Sequence, residues 1–135
     1  MANVRDFVEH DKPRELIETA ESVGRTLATE RLTTSQIRNI FGMVRQIKMS
    51  WLNDEQGSYR QAVLLKPKIA YQTERVKEKD KQRGRGMEAL KDALDDALDA
   101  VIAAPQAERR IRFERVTDFL EAIVAYHKRH GGRER

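Results

Sequence analysis

Apolar residues recur at spacings of three and four along most of this chain, and no segment alternates with a period of two. That pattern restricts the fold to packed amphipathic helices. Leu16, Ala20, Val23 and Leu27 mark a first helix from Pro13 to about Thr29, with proline in the first turn, where its missing N–H costs nothing. Ile37, Ile40, Phe41, Val44, Ile47 and Trp51 mark a second. Its start is the clearest in the sequence. Thr33 and Gln36 stand at capping-box spacing, and Leu32 and Ile37 at that of a hydrophobic staple.

The breakers between these stripes set the helix count. Asn53–Ser58 is polar and reads as a loop. Pro67 cannot sit unperturbed in a helix, so either a short helix from Tyr59 to Leu65 kinks there or a third helix starts at the proline. That third helix carries Ile69, Ala70 and Val76 inward and ends near Lys81, before a breaker at Gly84-Arg85-Gly86. A fourth runs from Met87 to about Ala103 on Leu90, Leu94, Leu98 and Val101. The last runs from Gln106 to about His130, with Ile111, Val116, Phe119, Leu120, Ile123 and Val124 inward. The expected architecture is an all-α, single-domain bundle of about five helices spanning residues 1–135. Residues 1–12 form a loose lead-in from which Phe7 and Val8 are apolar enough to dock, and residues 131–135 form a frayed tail.

Bulk properties exclude several classes. No apolar run approaches the roughly 18 residues of a membrane span. The first residues carry no apolar signal core, and there are no cysteines, so disulfides and thiolate metal sites are ruled out and a cytoplasmic protein is expected. Glycine-rich phosphate loops, nucleophile elbows and zinc spacings are missing. His127 and His130 are three apart, but no Glu-x-x-His pattern precedes them and Lys128 and Arg129 lie between them; they read as solvated residues at a helix end. Glu88, Asp92, Asp95 and Asp99 form an acidic stripe that reads as a wetted face or a dock for a basic partner, not as an acid–base pair. Neither an enzyme nor a cofactor or metal site is expected.

Charge is unevenly placed. Residues 60–86 hold nine Lys and Arg against three Asp and Glu, whereas residues 87–104 hold one against five. Within the basic segment Lys68, Tyr71 and Arg75 share one helical face by their spacing. Arg38, Arg45 and Lys48 flank the stripe of the second helix. A groove between two such helices suits a phosphate backbone, with Tyr71 stacking or bonding to a sugar; ordinary solvated flanks with intrahelical pairs are the alternative, and Tyr71 is then a core residue.

Three blocks in order, Thr33-Thr-Ser-Gln-Ile-Arg-Asn-Ile40, Leu65-Lys-Pro-Lys-Ile-Ala-Tyr-Gln72 and Phe119-Leu-Glu-Ala-Ile-Val-Ala-Tyr-His-Lys128, resemble the small subunit of type III-A CRISPR–Cas effector complexes, of the Csm family. The resemblance covers about half the chain, and the middle block is its most specific part. It implies a non-catalytic subunit that stacks head-to-tail in several copies beside the guide-RNA-bearing backbone subunits and the large subunit. It implies contact with guide and target RNA without sequence preference, through Arg38, Arg45, Lys48, Lys68, Tyr71 and Arg75. A helical scaffold or dimerisation module whose basic face binds an acidic protein is the competing reading.

Overall fold

A computed structural model describes residues 3–134; the ends of the expected lead-in and tail, residues 1–2 and 135, lie outside the described residues. Six α-helices follow one another: α1 (Val4–Glu9), α2 (Pro13–Thr29), α3 (Thr34–Ser50), α4 (Glu55–Lys79), α5 (Lys81–Ile102) and α6 (Arg109–Arg129), the last preceded by a 3₁₀ turn at Gln106–Glu108. The described residues contain no strand. The all-α, single-domain bundle expected from the periodicity is the fold observed.

α5 runs through the centre. Leu90, Leu94, Leu98 and Val101 are buried as the spacing predicts, and so are Ala93, Ala97 and Ala100, whose small side chains let neighbouring helices close in. α4 and α2 pack on it, and α6 packs along α2 and α3. Trp51 stacks on Phe113 with ring centroids 5.4 Å apart, and Phe7 meets Phe119 edge-on at 5.0 Å, so aromatic rings join α1, α3 and α6. Gly24 lies where α2 crosses α6, and a methyl group there would come within 2.8 Å of the His127 backbone nitrogen.

The capping box is present as read. The Thr33 hydroxyl accepts from the Gln36 backbone N–H at 3.2 Å, and the Gln36 amide oxygen accepts from the Thr33 N–H at 3.0 Å. The staple residues Leu32 and Ile37 are both buried.

Five expectations change. Residues 4–9 are a helix, not a loose lead-in, because Val4, Phe7 and Val8 all bury and Arg115 donates to the Val8 and Glu9 carbonyls. Pro67 neither starts a helix nor stops one: α4 continues through it, with the proline on the exposed side and Leu65 and Ile69 buried. The Gly84-Arg85-Gly86 segment is the first turns of α5. Asp80 alone separates α4 from α5, and its carboxylate accepts from Gln82 N–H (3.0 Å) and Arg83 N–H (3.1 Å). Gly84 then sits against Lys77, where a Cβ would lie 2.6 Å from the Lys77 Cγ. The glycines serve close helix packing rather than a flexible connector. The described part of the tail is not frayed either: the Arg133 carbonyl accepts from Thr34 N–H at 2.8 Å and the Glu134 carbonyl from the Ser35 hydroxyl at 3.0 Å, which satisfies donors at the start of α3. Ile111, expected inward, is 44% exposed, since α6 only begins at Arg109 and its first turn overhangs the core.

Candidate nucleic-acid interface

α3 and α4 diverge over a groove of about 770 Å³ that is closed at one end by the start of α5. α4 contributes Pro67, Lys68, Tyr71 and Arg75 to its wall, so the basic face read from residue spacing is also a wall of this groove. Tyr71 is 65% exposed and is not a core residue. The Arg75 guanidinium lies 5.9 Å from the Tyr71 ring centroid, a cation–π contact across one helical turn.

The cations of this face are not spent on carboxylates. Glu74 pairs with Lys77 and not with Arg75. Lys68 reaches only the Gln61 amide oxygen, at 3.4 Å. Among the described residues neither Lys68, Arg75 nor Lys79 has an ion-pair partner, and no carboxylate lines the groove. Lys66, one residue before Pro67, turns the other way and pairs with Asp99 of α5 at 2.5 Å.

The three cations of α3 are not gathered into the groove. Arg38 and Arg45 are exposed on the outer side of that helix, along a shallower surface that meets the groove at Asn39 and Met43. Arg45 stands over Phe41 at 5.9 Å. Lys48 lies on the far flank, where its charge acts on Asp118 of α6. The helix geometry explains the split: Arg38 and Arg45, seven residues apart, share one face of α3, whereas Lys48, three residues further on, is turned about 60° away.

Sequence reading missed the rest of the groove. Met43 and Asn39 of α3, Gln72, Val76 and Lys79 of α4, and Arg83 and Met87 of α5 come together only through helix pairing. The one local hint was Val76, already placed on an inward face.

The other candidate centres dissolve into structural roles. His127 is buried, not solvated: its Nε2 lies 2.6 Å from the Leu32 carbonyl, and Gly132 packs on the ring so closely that no Cβ would fit. His130 turns to Glu21 at 3.1 Å. Of the acidic stripe, Glu88 pairs with Lys77 (2.8 Å), Asp95 with Lys91 (2.9 Å) and Asp99 with Lys66. The Lys77 hydrogen bond holds the Glu88 carboxyl below the usual carboxylate range, which is opposite to what a general acid at neutral pH requires. Among the described residues no group of three His, Cys, Asp or Glu is arranged to hold a metal ion. Among the described residues no helix is long and apolar enough to cross a membrane.

Comparison with curated proteins returns no match, and comparison with solved structures returns none. The sequence model of the family described as Csm2 Type III-A, however, matches residues 10–133, nearly the full length and all three blocks noted above. The chain belongs to the Csm2 family and is a small subunit of a type III-A CRISPR–Cas complex.

Proposed function

We propose that this subunit is non-catalytic and holds RNA within the complex through the α3–α4 groove, touching backbone and shape while guide pairing carries the sequence. The observation that carries the proposal is the convergence of Lys68, Tyr71 and Arg75 on a groove with no acidic lining. Cations left without carboxylate partners beside an exposed aromatic ring suit a phosphodiester backbone, and they would be costly neighbours for one another without an anion. Arg38 extends the same surface over the edge of α3. The test is RNA capture by the assembled complex carrying Lys68→Glu with Arg75→Glu. Capture should fall steeply at low salt and depend less on salt than in the unsubstituted complex; unchanged capture refutes the assignment.

A protein contact is favoured at the end of α3. Met49 is 73% exposed and Leu52 82%, next to Arg45 and Lys48 in the chain. Phosphates gain nothing from exposed apolar side chains, whereas a neighbouring subunit does. Here Arg45 and Lys48 would meet the backbone subunits, the large subunit or a second copy stacked head-to-tail, a heterologous contact able to extend without closing. Met49→Asp with Leu52→Asp should then block assembly and leave the RNA affinity of the free chain intact. Loss of RNA affinity with assembly preserved would reverse the two assignments.

A further inference from the structure

The groove is more apolar than contact with a paired RNA backbone requires. Half-buried Met43 and Val76 line it from two helices above the buried Met87, and the Tyr71 ring stands 65% exposed at its wall. The side-chain amides of Asn39 and Gln72 also face it, and neither has a hydrogen-bond partner among the described residues. An A-form duplex presents phosphates, 2′-hydroxyls and a shallow minor groove, with its bases stacked away inside. Such a duplex satisfies Lys68, Arg75 and Lys79 and leaves the exposed part of the apolar lining, the ring and both amides in water.

A different form of RNA uses all of them. A base outside the stack has two π-faces for Tyr71 and edges for the amides, and it is small enough for this groove, whose volume of about 770 Å³ lies within the roughly 300–1,000 Å³ of small-ligand pockets. Resting on the RNA reading above, we propose that the α3–α4 groove receives one unpaired, unstacked nucleobase, with the flanking phosphates on Lys68, Arg75 and Lys79. Charge complementarity selects a nucleotide over a peptide, since the groove offers an apolar peptide no carboxylate for its amides and too many unpaired cations.

The experiment uses the purified full chain and three RNAs: a fully paired duplex, the same duplex with a single bulged 2-aminopurine, and a single strand carrying that base. The bulged duplex should bind about tenfold more tightly than the paired one, in line with one base stacked on an aromatic ring. Emission of the 2-aminopurine should fall as it stacks against Tyr71. Tyr71→Ala, at an exposed position, and Met43→Trp, which fills the groove, should each return the bulged duplex to the affinity of the paired one; melting by circular dichroism shows that each is folded. Lys68→Glu should weaken all three RNAs alike. Equal affinity for bulged and paired duplexes with unquenched emission overturns base capture and leaves the RNA reading standing. A preference for the bulge that survives Tyr71→Ala also overturns it, and failure to bind any RNA removes both.

Discussion

The same substitution at two glycines should have opposite effects. Gly42 lies on the exposed side of α3, and a Cβ there meets nothing within 4 Å. Gly42→Ala therefore gains the helix-propensity difference, about 0.5–1 kcal/mol, through reduced freedom of the unfolded chain. Gly24 sits in α2 against α6, where the new Cβ would lie 2.8 Å from His127 N, 2.8 Å from Tyr126 Cβ and 3.0 Å from Ile123 O. Two of these three atoms belong to helix backbone and cannot swing aside. Overpacking of this kind costs about 1–3 kcal/mol, and with fixed backbone atoms this close the upper part of that range applies, so Gly24→Ala should be net destabilising by about 1–2 kcal/mol once the propensity gain is subtracted. Urea unfolding followed by circular dichroism reads both changes, and the melting temperatures should diverge by several degrees at roughly 3 °C per kcal/mol. If Gly24→Ala stabilised the protein as Gly42→Ala does, the close α2–α6 crossing would be refuted.

Other substitutions report on single features. Pro67→Ala should restore an N–H to α4 at an exposed position and stabilise the protein by up to about 3 kcal/mol in chemical denaturation; destabilisation would mean that the ring packs in a way its exposure does not suggest. Thr33→Ala removes one half of the capping box and should cost about 1 kcal/mol in the same assay. His127→Ala leaves the buried Leu32 carbonyl without its 2.6 Å partner and opens a cavity beneath Gly132, so a loss of at least about 1–3 kcal/mol is expected from melting curves. Burial raises the Asp118 carboxyl, as do Glu121, Glu114 and Asp11, while Lys48 pulls it back. A raised carboxyl favours the fold at low pH and opposes it once pH exceeds the folded-state pKa; Asp118→Asn should therefore stabilise slightly at neutral pH, by less than about 0.5 kcal/mol given its exposure, and the gain should vanish in acid.

What could be read in the sequence was local. The stripe through Leu90, Leu94 and Leu98, the Thr33–Gln36 box and the Lys68–Tyr71–Arg75 face each depend on residues within a few turns of one another. The failures share a cause in tertiary override. Gly84 and Gly86 look like breakers until Lys77 and Leu32 are seen packed against them. Pro67 looks like a helix start until Leu65 and Ile69 anchor the helix on either side of it. His127 reads as solvated from its charged neighbours, yet the carbonyl that holds it belongs to Leu32, 95 residues earlier. The groove was half visible for the same reason: its α4 wall is a helical face, whereas its α3 side and its Met87 floor depend on how helices pair.

The junction at Asp80 fixes which changes of length this chain can absorb. One residue links two long helices, so there is no slack between the Val76–Lys79 wall of the groove and its Arg83–Met87 end. Each residue added within the first turn of α5 would turn the rest of that helix by about 100° and advance it by about 1.5 Å. The buried stripe of Leu90, Leu94 and Leu98 would rotate out of the core, and Met87 would leave the groove with it. The turn between α3 and α4, where residues 51–54 are not helical, is capped by Asp54 but has no comparable constraint on its exposed positions 52 and 53. Relatives of this chain should therefore vary in length at the α3–α4 turn and keep the spacing between α4 and α5 to a single residue.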